Sequence, residues 1–274
     1  MTLRPVLDTD ADGEVVQIFQ EARSLLGVDS VPLMLRFLAN APGYLRYLWE
    51  PMRQDLRSEE FLLLSQKLVS FSLSSAAIIY SPSHHATVFA GAMSREERSE
   101  AERVLQKLLK LHSVFFLFAL DLREDLKTAF SKRIEKDMLP LGQDMTGGEG
   151  ENPRAFLTTE TMLSPFFDNG QSVAPRMETL FTVVASEMET LGKTEAYLKT
   201  RVELERVGLL YLRSVPSRMH SNYKVFMEHS EDEHVAYDLL YLLTHVFPSE
   251  FPHLLLAGAA MQVLLHGGKH ITTQ

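Results

Sequence analysis

From Glu14 to Leu26 the apolar residues Val15, Val16, Ile18, Phe19, Ala22, Leu25 and Leu26 recur three and four positions apart, filling one broad face. That period belongs to an amphipathic helix; a strand would alternate every second residue. Asp10 or Asp12 stands where a helix N-cap accepts backbone N–H bonds, and Gly27 stands where a left-handed turn ends one. Residues 58–80 and 95–120 repeat the period, and Ser94 with Glu97 has the spacing of a capping box. The apolar tract Leu254–Leu265 is too short to span a bilayer and predicts a buried helix. No series of alternating β-branched runs occurs, so the pattern predicts an all-α fold.

Residues 140–175 break this pattern, holding five of the 14 glycines and four of the 12 prolines. Both residue types oppose helix continuation, which predicts a linker loop. It divides the chain into a first helical repeat over 1–139 and a second, shorter one over 176–274. A shift of 165 residues supports a duplication: over positions 14–53 it aligns Leu26/Leu191, Gly27/Gly192, Leu33/Leu198, Arg36/Arg201, Gly43/Gly208, Leu45/Leu210, Pro51/Pro216 and Arg53/Arg218. Chance gives roughly two or three identities over such a window. Two helical bundles of this kind are expected to enclose a ligand cleft between them.

Composition narrows the chemistry by exclusion. Twenty-seven Lys and Arg against 36 Asp and Glu give a net charge of −9, which argues against nucleic acid or an anionic membrane as partner. The absence of cysteine removes disulfides, thiolate nucleophiles, Cys-ligated zinc and Fe–S clusters. With no signal-like N-terminal segment, a soluble cytoplasmic protein is expected.

Several short motifs fail on inspection. Asp8, Asp10, Asp12 and Gly13 open like an EF-hand loop, but the position of its bidentate Glu is Phe19, on the apolar helix face. Gly192-Lys193-Thr194 ends like a P-loop, yet the first glycine of that motif falls at Glu187, within a helical pattern. Seven of ten histidines lie after position 219, and Glu231 with His234 has di-iron spacing without a second such pair. No metal and no cofactor is expected. The strip Val114–Leu120 reads as core, or as the wall of an aromatic-lined cavity.

The stretch from Glu14 to Trp49 carries more: Arg23-x-x-Leu26-Gly27-Val28, then Val31, then Arg36-x-Leu38-Ala39-x-x-Pro42-Gly43-Tyr44-Leu45-x-x-x-Trp49. This resembles the first repeat of the group I D,L-2-haloacid dehalogenases, and Arg103–Leu120 follows at nearly the family's spacing. The resemblance covers residues 14–130 well and 175–274 faintly; related helical families share a similar Pro-Gly-Tyr-Leu turn, and the lack of cysteine excludes the thiol-peroxidase relatives as active enzymes. It implies two helical repeats, an active site between them, and an Asp that activates water to displace halide from carbon 2.

In the 165-residue register that base falls at Lys199, beside Leu198 where the family has Ser. A protonated lysine accepts no proton, whereas Glu195, Glu203 and Glu205 lie a short slip away. The family's Asn and Tyr contacts correspond to His112 and Phe115, and its pocket Trp and Phe to Ser30 and Leu33. His112 and His245 each follow a Leu-rich run, and with Lys199 they are expected to make a cationic pocket for a carboxylate. The sequence therefore reads as a small organic-acid pocket protein. The alternatives are a 2-haloacid dehalogenase using a nearby Glu, or a non-catalytic helical interaction protein with room for homo-oligomerisation.

Overall fold

The computed structural model describes residues 3–137, 175–215, 221–230 and 232–267. Every regular element among them is helical: α1 (Gly13–Leu26), α2 (Leu33–Leu38), α3 (Pro42–Arg57), α4 (Glu59–Ile79), α5 (His84–Gly91), α6 (Arg95–Asp137), α7 (Pro175–Leu191), α8 (Glu195–Leu212), α9 (Tyr223–Glu228), α10 (Glu233–Tyr241) and α11 (Phe247–Leu265). A π-helical turn, Leu242–Val246, joins the last two. The linker expected over 140–175 lies outside the described residues up to Pro175, where α7 begins, as does Glu231 of the Glu-x-x-His spacing.

Two compact units form, each from three stretches of chain. The first draws on Met1–Ser58, Phe118–Pro165 and Pro216–Pro248; the second draws on Glu59–Leu117, Phe166–Val215 and Ser249–Gln274. Helix α6 thus supplies both units, its residues before Phe118 to the second and those from Phe118 to the first.

In the first unit α1 packs on α3. Val15, Ile18, Phe19 and Ala22 are buried, and Gly27 closes α1 at φ 64°, its N–H bonded to Arg23 O. Asp12 occupies the N-cap position, but its side chain makes no capping bond; the expected aspartate cap is instead a backbone one, Val15 N–H to Asp12 O at 3.0 Å. Asp8, the first acidic residue of the false calcium loop, accepts from Arg23 at 3.0 Å and from Val31 N–H at 3.2 Å.

The Pro-Gly-Tyr-Leu segment is structural throughout. Pro42 opens α3, where a missing N–H costs nothing. Gly43 brings the helix so close to His229 that a Cβ there would sit 3.0 Å from its carbonyl oxygen. Leu45 is fully buried, and Trp49 Nε1 donates to Glu21 of α1 at 2.9 Å, beside Arg53 and Arg57 on the same carboxylate.

In the second unit α4 packs on α8 and α5 on α7. Helix α4 is long and apolar enough to cross a membrane by length and composition alone; it packs on α8, with Lys67 over the Tyr211 ring at 6.0 Å. The Ser94–Glu97 capping box forms reciprocally, at 2.7 and 3.1 Å. Gly192 ends α7 through its N–H to Met188 O at 2.8 Å. Glu187, where the false P-loop needed glycine, accepts from Ser83 N–H at 3.0 Å and from the Tyr80 hydroxyl.

Positions matched by the 165-residue shift coincide at the helix ends Gly27 and Gly192. They part at Gly43, in the first turn of α3, and Gly208, inside α8.

Candidate functional site

Helix α6 buries nearly every position from Leu111 to Leu122, so polar groups on that stretch need partners inside the protein. Ser113 has them: its hydroxyl meets Ser65 Oγ at 2.6 Å and donates to Lys110 O at 2.9 Å. His112, one residue earlier, has none. It is 2% exposed, and neither Nδ1 nor Nε2 finds a hydrogen-bond partner among the described residues.

Its surroundings are aromatic. The Phe251 ring of α11 lies 6.3 Å from His112 and stacks at 6.5 Å on Phe115, one turn further along α6. Burial alone pushes the His112 imidazole down to about 3, with no charged group contributing. At neutral pH the ring is therefore uncharged, with one N–H donor and one bare nitrogen acceptor. The other orphaned buried atom of this unit, among the described residues, is Gln262 Oε1 on α11.

The structure thus brings His112 and Phe115 together, and adds Phe251, which the sequence did not single out. The signal for Phe251 is slight, since one phenylalanine in a helix rich in Phe, Leu and Ala reads only as core.

The remaining expected residues fall on other elements. Lys199 lies on the outer face of α8, its side chain 76% exposed and paired with Glu195 at 2.7 Å. Glu203 is clamped by Arg206, whose Nε donates at 2.8 Å, and this holds the Glu203 carboxyl below its ordinary range. Glu205 is half-buried on the same helix. Ser30, Leu33 and His245 belong to the first unit. Ser30 is half-buried in the approach to α2, and Leu33 is buried in its first turn. His245 lies in the π-helical turn, its ring stacked on Tyr241 at 5.3 Å and its Nδ1 2.7 Å from Thr244 Oγ1. Local burial, and then the Arg123 charge, hold that imidazole below its ordinary value although the residue is exposed as a whole.

The inward groups of α8 are Tyr197 and Arg201, two positions to either side of Lys199. Tyr197 is buried, with its hydroxyl bonded to His253 Nδ1 on α11. Burial chiefly raises the Tyr197 phenol to about 12 and lowers the His253 imidazole, so the phenol donates and Nδ1 accepts. Arg201 donates to Ser249 O at 2.8 Å and Oγ at 3.1 Å. The spacing Tyr197, Arg201, Leu204, Gly208 does carry this face in the sequence, but Leu198 and Val202 obscure it by being apolar and exposed.

No family model and no curated protein matches the chain. Solved structures do. A D-2-haloacid dehalogenase mutant in complex with D-2-CPA superimposes with a TM-score of 0.66 at 13% identity, covering 96% of each chain. A D-2-haloacid dehalogenase in complex with L-LA gives 0.65 at 15% identity, and a further mutant gives 0.65 at 14%, with the same coverage. The chain has the fold of these dehalogenases, and identities this low carry the likeness no further than the fold.

Proposed function

We propose that the protein binds a small organic acid at His112, with Phe115 and Phe251 as the apolar wall, and that it descends from the group I-like haloacid dehalogenases. The observation that carries this reading is the pair of unpartnered ring nitrogens on a side chain 2% exposed. Leaving a buried donor and acceptor unmade costs about 1–3 kcal/mol each, so such a group is kept where a ligand or a bound water completes it. The fold supports the acid class, since similar structures hold D-2-CPA and L-LA.

Binding is the reading favoured here over hydrolysis. Attack of water on carbon 2 needs a carboxylate base; Glu203 is held by Arg206 and Glu195 pairs with Lys199 at the surface, which leaves Glu205 as the remaining candidate base. A carboxylate held by arginine gives up its lone pairs to that partner and is the weaker base for it.

Calorimetric titration with propionate and both enantiomers of 2-chloropropionate, alongside a chloride-release assay, tests the reading. Saturable binding without chloride release is expected. Chloride release beyond one turnover would establish the dehalogenase alternative, and Glu195→Gln, Glu203→Gln and Glu205→Gln would then locate its base. No binding of any acid, with a stable oligomer burying on the order of 1,000 Å² or more, would favour the interaction-protein alternative.

A further inference from the structure

We infer that the acid enters the His112 site together with one proton, shared between its carboxyl group and the imidazole, so that the occupied site is net neutral. This rests on the acid-binding reading above and deepens it by stating the form in which the ligand is taken.

Among the described residues, the surroundings of His112 offer an anion no counter-charge. Phe115 and Phe251 flank the ring, and no charged side chain acts on it. Several charged groups of this unit, among the described residues, are engaged or exposed elsewhere. Glu250 and Arg201 act on Tyr197 and His253, Arg201 also holds Ser249, Lys67 lies over Tyr211, Lys110 is exposed, and Lys199 is paired with Glu195 at the surface. A bare carboxylate placed against a neutral imidazole here would be a buried charge without a partner, which costs several kcal/mol.

One proton removes that cost. The ligand leaves water as a carboxylate, a proton comes from solvent, and the complex holds it in one hydrogen bond between a carboxyl oxygen and a ring nitrogen. No covalent bond changes, and the pair titrates as a unit. The other ring nitrogen, bearing its own hydrogen, offers a donor to a further oxygen of the ligand or to a water. Burial keeps the His112 imidazole neutral at pH 7, so the proton has to come with the ligand.

The test is calorimetry on the full chain from pH 6 to 8, with propionate and its uncharged analogue propionamide, in buffers of different ionisation heat. More protons are bound in the complex than in the free components, so propionate affinity should fall about tenfold per pH unit as pH rises, with uptake of one proton. Propionamide affinity should not change with pH. His112→Phe, with folding checked by circular dichroism, should abolish both the slope and the uptake. His112→Gln, which keeps a donor and an acceptor but cannot take a share of the proton, should weaken propionate about tenfold or more at pH 6 while sparing propionamide, and serves if the phenylalanine variant fails to fold.

Propionate binding that is flat with pH and takes up no proton would overturn this inference while leaving the acid-binding reading intact. Propionate affinity at pH 6 unchanged in both variants would overturn it too, by placing the proton elsewhere. Failure of both probes to bind at pH 6 would instead overturn the acid-binding reading.

Discussion

The hydroxyl oxygens of Tyr44 and Ser221 lie 2.6 Å apart in the interior of the first unit, although 177 residues separate them along the chain. Ser221 also donates its N–H to Asp125 Oδ2 at 2.8 Å, so one short network ties α3, the last part of α6 and the approach to α9. The Phe226 ring meets Tyr44 edge-on at 4.7 Å, and burial raises the Tyr44 phenol well above its ordinary range.

Removing the Tyr44 hydroxyl leaves the ring packing in place and orphans the buried Ser221 Oγ. Tyr44→Phe is expected to lower unfolding stability by about 1–3 kcal/mol. Urea denaturation checks this, and pairing the change with Ser221→Ala should recover part of the loss, because both partners are then gone.

His112 should behave oppositely. His112→Phe replaces a buried, unpartnered imidazole with an apolar ring and is expected to raise stability by about 1 kcal/mol or more, at the expense of acid binding. A melting temperature lower than wild type, with binding retained, would show that the imidazole has a structural partner.

His112 also predicts a pH dependence. Its folded-state value of about 3 lies below the ordinary 6.5. The unfolded chain therefore binds the proton more readily, and the stability contributed by the neutral ring is complete above pH 6.5. It is lost progressively as pH falls toward 3, by up to about 1.4 kcal/mol per pH unit. Burial lowers His253 and His245 in the same direction. Urea titrations from pH 7 to 4 should show a shallower loss in His112→Phe than in wild type.

Gly43 is close-fitted against the backbone. A Cβ there would stand 3.0 Å from His229 O, a main-chain atom that no side-chain rotation can move. Gly43→Ala is expected to cost about 1–3 kcal/mol. Gly91, with nothing within 4 Å of such a Cβ, provides the control: Gly91→Ala should be neutral or stabilising.

The Lys199–Glu195 pair is the surface counterpart. Both side chains are more than three-quarters exposed, so Lys199→Ala should change stability by no more than about 0.5 kcal/mol. Propionate affinity measured on the same variant should stay at the wild-type value, and a marked loss would bring Lys199 to the ligand.

Much of the architecture is legible in the sequence. The helical period located α1, α4 and the first half of α6, the Ser94–Glu97 box set the start of α6, and Gly27 and Gly192 ended their helices as left-handed or turn glycines do. These are local relations, fixed within one turn of chain by backbone sterics and hydrogen bonding. The aspartate cap of α1 was the local expectation that failed: Asp12 holds the position without the side-chain bond, and Asp10 accepts from the Thr9 hydroxyl.

The site was less legible, because its defining property is a missing interaction. A histidine with no partner looks, in sequence, like any other histidine; only the packed surroundings of α6 and α11 show that both His112 nitrogens are enclosed and unmet. The same holds for α8. A register drawn from the faint repeat pointed at Lys199, while packing turned Tyr197 and Arg201 inward and left Lys199 at the surface.

Taken alone, the sequence determined the all-α class, the helix boundaries set by period and caps, and the exclusion of thiol chemistry. Each depends on residues near one another in the chain. Tertiary structure alone decided which polar groups are buried, which are paired, and that the Pro42–Trp49 motif packs α3 against α1 and the His229 backbone. Those outcomes depend on which distant segments exclude water from a side chain, and no local pattern encodes that.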